Sequence, residues 1–299
     1  MSRKYLADKI PVEENFFMQC YVDVTQKCNM NCKTCYSPNR EGDDINLEYF
    51  EEVLKRMPKP VAWRLLGGEP TISDRMIPLL NLMDKYGHFA IIVTNGLLMS
   101  DLDFCKRVKD NINPEFMVSI SFDGADNDEI YKKISGRPCA EFKMKALKNL
   151  VNIGFSRISL TQTVVRGFNE LEVKRLYDIT REHHCRYLHY RSQIPVGRWI
   201  NKEDKPYTWQ EIKSIIREFE PKIDIPYKEI DDNYKSPPQY KCCGECNRFW
   251  LDKELQISII GMASMRNINC VMRGFLNDDF TFTPLFRNIR SKNGEYEIR

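Results

Sequence analysis

Six of the eleven cysteines in this 299-residue chain fall in two tight groups, and cysteines grouped in this way can hold metal. The first group is Cys28-Asn-Met-Asn-Cys32-Lys-Thr-Cys35-Tyr36. Three thiolates at offsets of zero, four and seven can take three corners of an iron–sulfur cubane from one loop and leave the fourth iron open. An open iron can chelate the amino and carboxylate groups of a small molecule and pass it an electron. A zinc knuckle in a non-catalytic module is the alternative. Structural zinc asks for a fourth ligand, usually from a second close pair, and the next cysteine here is Cys105. The second group, Cys242-Cys243-Gly-Glu-Cys246, is followed by Cys270. It suits either a second cluster or a four-ligand zinc ribbon. Cys20, Cys105, Cys139 and Cys185 are scattered and read as small buried hydrophobes.

The elements that must position these groups follow from the hydrophobic periodicity. Strands are expected at Phe17–Val24, Val61–Leu66, Phe89–Thr94, Phe116–Phe122, Arg157–Val165 and Arg186–Tyr190. Helical patterns lie between them at Leu47–Arg56, Asp74–Tyr86, Asp101–Val108, Ala140–Ile153 and Glu170–His183. Such alternation implies an α/β fold, a partial (β/α)6 barrel of parallel strands, short of the eight units of a closed barrel. The first cysteine group then follows the first strand, and ligand sites gather at the carboxyl ends of parallel strands. Residues 1–16 are expected to be a tail, 17–200 the core domain, and 201–238 a linker with one helix near Trp209–Glu218. Residues 239–299 form a small cysteine-rich extension, too short for a convincing core of its own, so metal would help it fold.

Behind the first cysteines, Gly67-Gly68-Glu69-Pro70 follows the second strand, Thr94-Asn95-Gly96 ends the third, and Ser119-Ile-Ser121-Phe-Asp123-Gly124 ends the fourth. In that order these motifs resemble the radical S-adenosylmethionine superfamily. The resemblance implies a 4Fe–4S cluster on Cys28, Cys32 and Cys35, with S-adenosylmethionine as cofactor. It also implies reductive cleavage to methionine and a 5′-deoxyadenosyl radical that takes a hydrogen atom from the substrate. Gly67, Gly68, Glu69 and Pro70 would then meet the methionine amino group, where glycines allow close backbone approach and a carboxylate complements an ammonium. Thr94, Asn95, Ser119, Ser121 and Asp123 would contact the ribose and the methionine carboxylate. Taken one motif at a time, ordinary strand-end turns explain them as well.

The second cysteine group, within this resemblance, is similar to the twitch form of the SPASM extension, which holds one auxiliary 4Fe–4S cluster. Cys243, Cys246 and Cys270 are the preferred ligands, with Cys242 as an optional fourth. Cys243-Gly-Glu-Cys246-Asn-Arg248 resembles the GTP cyclase of molybdenum-cofactor synthesis, although the gap to Cys270 is longer here. Gln193-Ile-Pro-Val-Gly-Arg198 resembles the exit from the core domain of SPASM-type enzymes, many of which modify ribosomally made peptides. A peptide is therefore the expected substrate, and a small-molecule cyclase or dehydrogenase reaction is the alternative. The resemblance also implies an electron donor such as flavodoxin or ferredoxin. Cys139 and Cys185 are candidate hydrogen-atom donors, although buried inert thiols are commoner. Arg191 and Arg198, where the last strand opens, are candidates for holding an acidic substrate group. His183 and His184 read as favourable charge at a helix end.

Composition narrows the field further. A formal charge of +3 with scattered basic residues gives no electrostatic footprint for nucleic acid or a membrane surface. No stretch approaches the roughly 20 apolar residues a membrane span needs. The start, Met1-Ser-Arg-Lys-Tyr-Leu-Ala, carries no apolar signal core. A cytoplasmic, oxygen-sensitive protein is expected, since thiols stay reduced there.

Overall fold

A computed structural model of the chain describes residues 9–37, 42–111, 116–193, 197–199, 205–230, 244, 246–261 and 273–284. Its strands are β1 (Ile10–Pro11), β2 (Gln19–Thr25), β3 (Ala62–Gly67), β4 (Phe89–Thr94), β5 (Met117–Ser121) and β6 (Ile158–Val164). β7 (Tyr187–Ser192), β8 (Lys228–Glu229), β9 (Cys246–Trp250), β10 (Gln256–Ile260), β11 (Arg273–Leu276) and β12 (Thr281–Pro284) complete the set. The helices are α1 (Leu47–Arg56), α2 (Met76–Lys85), α3 (Leu102–Asp110), α4 (Asp128–Ser135), α5 (Ala140–Asn152), α6 (Glu172–Glu182) and α7 (Trp209–Arg217). Five of the seven match the periodicity of the core region. α4 goes beyond it: a single short segment whose start is capped by the Asn127 side chain and whose end turns on Gly136 at φ +76°. Both are ordinary helix-end devices.

Among the described residues the strands form one sheet in the order β1-β12-β11-β2-β3-β4-β5-β6-β7-β10-β9-β8. The six core strands β2 to β7 run parallel in sequence order, as the alternation implies. β10 joins β7 in parallel and β11 joins β2 in parallel. The described strands after α7 thus join the core sheet. They lengthen both of its edges, and the parallel run grows from six to eight strands. α7 likewise buries Ile212 and Ile216 in the main hydrophobic cluster, so this part of the region read as a linker belongs to the packed core.

Alternate residues along a strand point to opposite faces, and the two faces differ sharply in chemistry. Cys20, Val22 and Val24, then Trp63 and Leu65, Ile92, Val118 and Ile120, Leu160, Leu188, Ile257 and Ile259 are buried in one cluster with the helices. The opposite parity carries Gln19, Tyr21, Asp23, Arg64, Ser119, Ser121, Thr161, Thr163, His189, Arg191 and Ser258, aligned by the strand registers. A parallel run of strands with the helices packed on one face and this polar face on the other is a partial barrel. Among the described residues no helix is long and apolar enough to cross a membrane.

His88 fastens the start of β4 to β3. Its Nδ1 accepts from the Val61 amide and from the Trp63 indole N–H, each at 3.1 Å, and burial pushes its pKa down to about 4 from an ordinary 6.5. Both bonds need the neutral ring. Between about pH 4 and 6.5 the unfolded chain binds a proton there that the folded chain refuses, so this contribution to stability rises with pH and is complete above about 6.5. His88→Asn is expected to flatten the rise of the urea midpoint across that window. A slope equal to that of the unsubstituted protein would remove His88 as its source.

Candidate functional site

The first cysteine loop is built by backbone contacts from three other segments. The Gly68 N–H donates to the Thr25 carbonyl at 2.7 Å and the Glu69 N–H to the Lys27 carbonyl at 2.8 Å. β2 and β3 therefore stay paired up to the residue before Cys28. Gly67 has φ +119°, and a Cβ there would lie 2.0 Å from the Thr25 oxygen; at Gly68 it would lie 2.0 Å from the Lys27 oxygen. Only glycine permits this approach. Farther along, the Lys33 N–H donates to the Ile134 carbonyl at 2.8 Å, and the Arg198 N–H to the Cys35 carbonyl at 3.0 Å. The Arg198 guanidinium donates to the Cys32 carbonyl at 3.3 Å and to the Asn31 side chain. The Arg198 contacts place the described end of the segment read as a domain exit, Gly197-Arg198, against the cysteine loop.

The three sulfurs lie half-buried on this frame and in no disulfide. Cys28 Sγ accepts from the Met30 N–H at 3.4 Å, Cys32 Sγ lies 3.8 Å from the Ser135 hydroxyl, and the Cys35 thiol donates to the Ser37 carbonyl at 3.2 Å. Burial, with Asp123 nearby, pushes the Cys32 thiol up to about 11. Among the described residues no group of three or more His, Cys, Asp or Glu side chains is placed to hold a single metal ion. A cubane makes a different demand, one thiolate on each of three irons, and three half-buried thiols on one externally braced loop fit that donor set. A cleft of about 840 Å³ opens beside them, lined in part by Cys28, Asn29, Ser135, Arg137, Arg198 and Trp199.

The glycine-rich motif and the strand ends meet on one carboxylate. Glu69, 2% exposed, accepts on Oε1 from the Thr71 N–H at 3.2 Å, the Thr71 hydroxyl at 2.6 Å and the Thr94 hydroxyl at 2.6 Å. Its Oε2 accepts from the Asn95 N–H at 2.7 Å. Burial pushes its pKa up against these four bonds. The Asn95 amide then donates to the Asn29 side chain at 2.7 Å, so the end of β4 touches the cysteine loop. Asp123 is likewise held above its ordinary value by burial and accepts from the Thr163 N–H at 2.8 Å. Ser119 lies deeper along β5, its hydroxyl 3.1 Å from that of Thr161. Pro70 opens the short turn after Glu69.

Sequence reading missed Lys143. Its position in α5 falls in step with the buried Ala140, Ala146, Leu147 and Leu150, so a charged residue on an apolar helical face was the available signal. The side chain, 2% exposed, donates to the Asn95 carbonyl at 2.8 Å and to the Ser121 carbonyl at 2.7 Å. It clamps the ends of β4 and β5 with a buried ammonium 5.3 Å from the Tyr131 ring centre. Cys139 is buried next to this clamp with Met30 and Tyr131, packed against Cys28 and Cys32, and burial raises its pKa. Cys185 lies before β7, at the far end of that strand from the cysteine loop, and burial pushes its thiol up to about 12. Cys246 begins β9 and pairs in register with Ile260, itself level with Arg191. Cys242, Cys243 and Cys270 lie outside the described residues.

The sequence profile of the Radical SAM superfamily matches residues 22–179. Over an alignment 303 positions long the chain is 25% identical to a probable GTP 3′,8-cyclase of Saccharolobus islandicus, covering 93% of this chain and 96% of the cyclase. A 7,8-dihydro-6-hydroxymethylpterin dimethyltransferase of Methanocaldococcus jannaschii is 28% identical over 160 residues. That match covers 51% of this chain and spans 31% of the methyltransferase. Among solved structures, Streptococcus suis SuiB bound to precursor peptide SuiA superposes with a TM-score of 0.58 at 16% identity, over 68% of this chain and 45% of SuiB. TYW1 with a lysine-pyruvate adduct superposes at 0.51 and 21% identity, over 77% of this chain and 83% of TYW1. At such identities these two likenesses are of fold.

Proposed function

Since the chain belongs to the radical SAM superfamily and is an enzyme, we propose that it takes a hydrogen atom from a small molecule held against the polar face of its sheet. Cys28, Cys32 and Cys35 would hold the 4Fe–4S cluster that the family implies. When bound there, the cluster and S-adenosylmethionine supply one electron and a 5′-deoxyadenosyl radical, the bond from sulfur to C5′ breaking to leave methionine. The observation that carries the reading is the docking of the cysteine loop on Gly67-Gly68-Glu69, at the carboxyl ends of parallel strands and above a polar lumen.

The chain's own residues supply position and electrostatics. Gly67 and Gly68 keep side chains out of the way and hold Cys28 in register. Glu69 organises Thr71, Thr94 and Asn95, and an acceptor direction left on Oε2 can face an ammonium. Ser121 and Asp123 stand at the end of β5, where the ribose and methionine carboxylate are expected, with Ser119 below them. Lys143 fixes the two strand ends so that these groups do not drift, as a radical enzyme needs in order to orient its substrate and exclude water. A small molecule is favoured over the peptide expected from sequence. The cyclase relative aligns from end to end with this chain, whereas the likeness to SuiB is one of fold.

Cys243, Cys246 and Cys270, with or without Cys242, are proposed as ligands of a second cluster. Cys246 stands on the lumen side of β9, level with Arg191, which would place such a cluster at the lumen. The test is anaerobic reconstitution with iron and sulfide, then incubation with S-adenosylmethionine and dithionite in place of a flavodoxin or ferredoxin. Equal amounts of 5′-deoxyadenosine and methionine are expected. Iron near eight per chain is expected for two 4Fe–4S clusters and near four for one. A protein carrying about four irons or more that forms no 5′-deoxyadenosine would overturn the proposal, and a count near four would remove the second cluster.

A further inference from the structure

Lys143 sits where an ammonium taken alone is doubly unfavourable. It is 2% exposed, and burying a charge costs heavily unless something compensates it. It also lies in the first turn of α5, where the helix dipole favours anions and disfavours cations. Clamping two strand ends accounts for its hydrogen bonds. It does not account for the charge, because neutral donors can hold carbonyls as well.

The ammonium donates to the Asn95 carbonyl at 2.8 Å and to the Ser121 carbonyl at 2.7 Å. Both acceptors are neutral, and among the described residues Lys143 makes no ion pair. The buried carboxylates at this end of the sheet are held by other donors. Glu69 takes those of Thr71, Thr94 and Asn95, and Asp123 takes the Thr163 N–H. Two short routes lead from the ammonium to the cysteines. Its Nζ lies 5.3 Å from the Tyr131 ring centre, and Tyr131 is buried with Met30 and Cys139 in a cluster packed against Cys28 and Cys32. Asn95, whose carbonyl it holds, gives its side-chain amide to Asn29, the neighbour of Cys28. Burial and Asp123 disfavour the Cys32 thiolate, whereas Ser135 and Lys143 favour it.

We propose that Lys143 is the counter-charge of the cluster on Cys28, Cys32 and Cys35, a fixed ammonium that raises its reduction potential and so eases the entry of the electron. The proposal rests on the cluster reading above and adds a residue outside the ligands that tunes it. Three thiolates bring negative charge to the loop, and the one electron taken from a flavodoxin, a ferredoxin or dithionite adds another. A cation held nearby stabilises the reduced form more than the oxidised one, and net charge and solvent exposure are what set such potentials. The buried Tyr131 and Met30 keep water from between, so the field is screened less than at a surface. The two carbonyls fix the ammonium in place, so nothing has to rearrange when the electron arrives. One unit charge acting on another over about 10 Å at an effective dielectric constant of about 20 shifts an equilibrium about tenfold. For one electron that is about 59 mV.

The full chain is reconstituted anaerobically with iron and sulfide, and the midpoint potential is read by electron paramagnetic resonance on samples poised with dithionite and mediators. The signal that changes shape when S-adenosylmethionine is added identifies the cluster on Cys28, Cys32 and Cys35. Lys143→Met and Lys143→Gln are each expected to lower its midpoint by about 59 mV, a tenfold smaller ratio of reduced to oxidised cluster at a given potential. Glutamine keeps an N–H donor for the two carbonyls, so it carries the test if the methionine variant fails to fold. Lys143→Arg keeps the charge and should stay close to the unsubstituted protein. Lys145→Met removes the same charge from the exposed side of α5 and should leave the midpoint where it was. An unmoved midpoint in both uncharged variants would overturn the inference. So would a fall in Lys143→Arg as large as in Lys143→Gln, which would make position and not charge the cause, or an equal fall in Lys145→Met. Failure of the cluster reading looks different. An unsubstituted protein with about four irons or more per chain but no signal that responds to S-adenosylmethionine would overturn that reading and this inference with it. A responsive signal whose midpoint ignores Lys143 would overturn this inference alone.

Discussion

Replacing Cys28, Cys32 and Cys35 together by alanine is expected to abolish 5′-deoxyadenosine formation while the metal-free protein still folds. The first half follows from the chemistry, since each iron corner needs its thiolate and the protein has no other trio on a loop braced in this way among its described residues. The second half follows from how the loop is held. Its position rests on main-chain bonds from Gly68, Glu69, Lys33 and Arg198, and none of these passes through a sulfur. The thiols are half-buried, so truncating each should cost about 1 kcal/mol or less of stability before metal is added. Chromatography of anaerobic reactions and urea unfolding of the metal-free proteins measure the two halves. Product formed by the triple variant at the rate of the unsubstituted protein would sink the assignment. A metal-free variant that failed to fold would show that the sulfurs themselves hold the loop.

What could be seen from residues alone was whatever is local. The trio of cysteines, the two glycines ahead of Glu69 and the six strands of the core are each short-range signals, and the structure brings them together at one end of one sheet. β10 and β11 were out of reach because their partners are remote: Arg273 pairs with Gln19 from the opposite end of the chain, and nothing near Arg273 announces it. The polar face of the sheet is hidden for the same reason. Arg64, Arg191, Arg248 and Arg273 come from four strands, and only the register puts them on one side of the sheet. Arg191 could be flagged because it stood near an expected mouth; Arg64 looked like one polar residue in an apolar strand. Lys143 offered a local signal, a lysine in phase with alanines and leucines, which a reading tuned to motifs passes over. The role of Glu69 was legible only in part. Its type and place pointed to a ligand for an ammonium, but the donors that surround it come from Thr94 and Asn95 at the end of the next strand.

Those donors change what substituting Glu69 should do. If the carboxylate served S-adenosylmethionine alone, Glu69→Ala would weaken that cofactor and leave the protein as stable as before. In the structure the same carboxylate accepts two backbone N–H groups and two hydroxyls inside a nearly closed site. The hydroxyls of Thr71 and Thr94 can rotate toward other acceptors. The N–H groups of Thr71 and Asn95 cannot, and each buried donor left without a partner costs about 1–3 kcal/mol. Glu69→Ala is therefore expected to lose about 2–5 kcal/mol of stability, on top of any loss of cofactor binding. Glu69→Gln keeps the shape but must turn an amide N–H₂ toward either the Asn95 N–H or the Thr71 and Thr94 donors, so it should also destabilise, by less. Urea unfolding of the metal-free proteins separates this from cofactor affinity, because no S-adenosylmethionine is present to be lost. An unchanged midpoint for Glu69→Ala would mean that the four bonds do not bear on stability and that the carboxylate acts on the cofactor alone. A lowered midpoint in both variants, larger for alanine, would make Glu69 the pin that joins the glycine-rich turn to the end of β4. Through Asn95 and its bond to Asn29, that pin also reaches the residue next to Cys28.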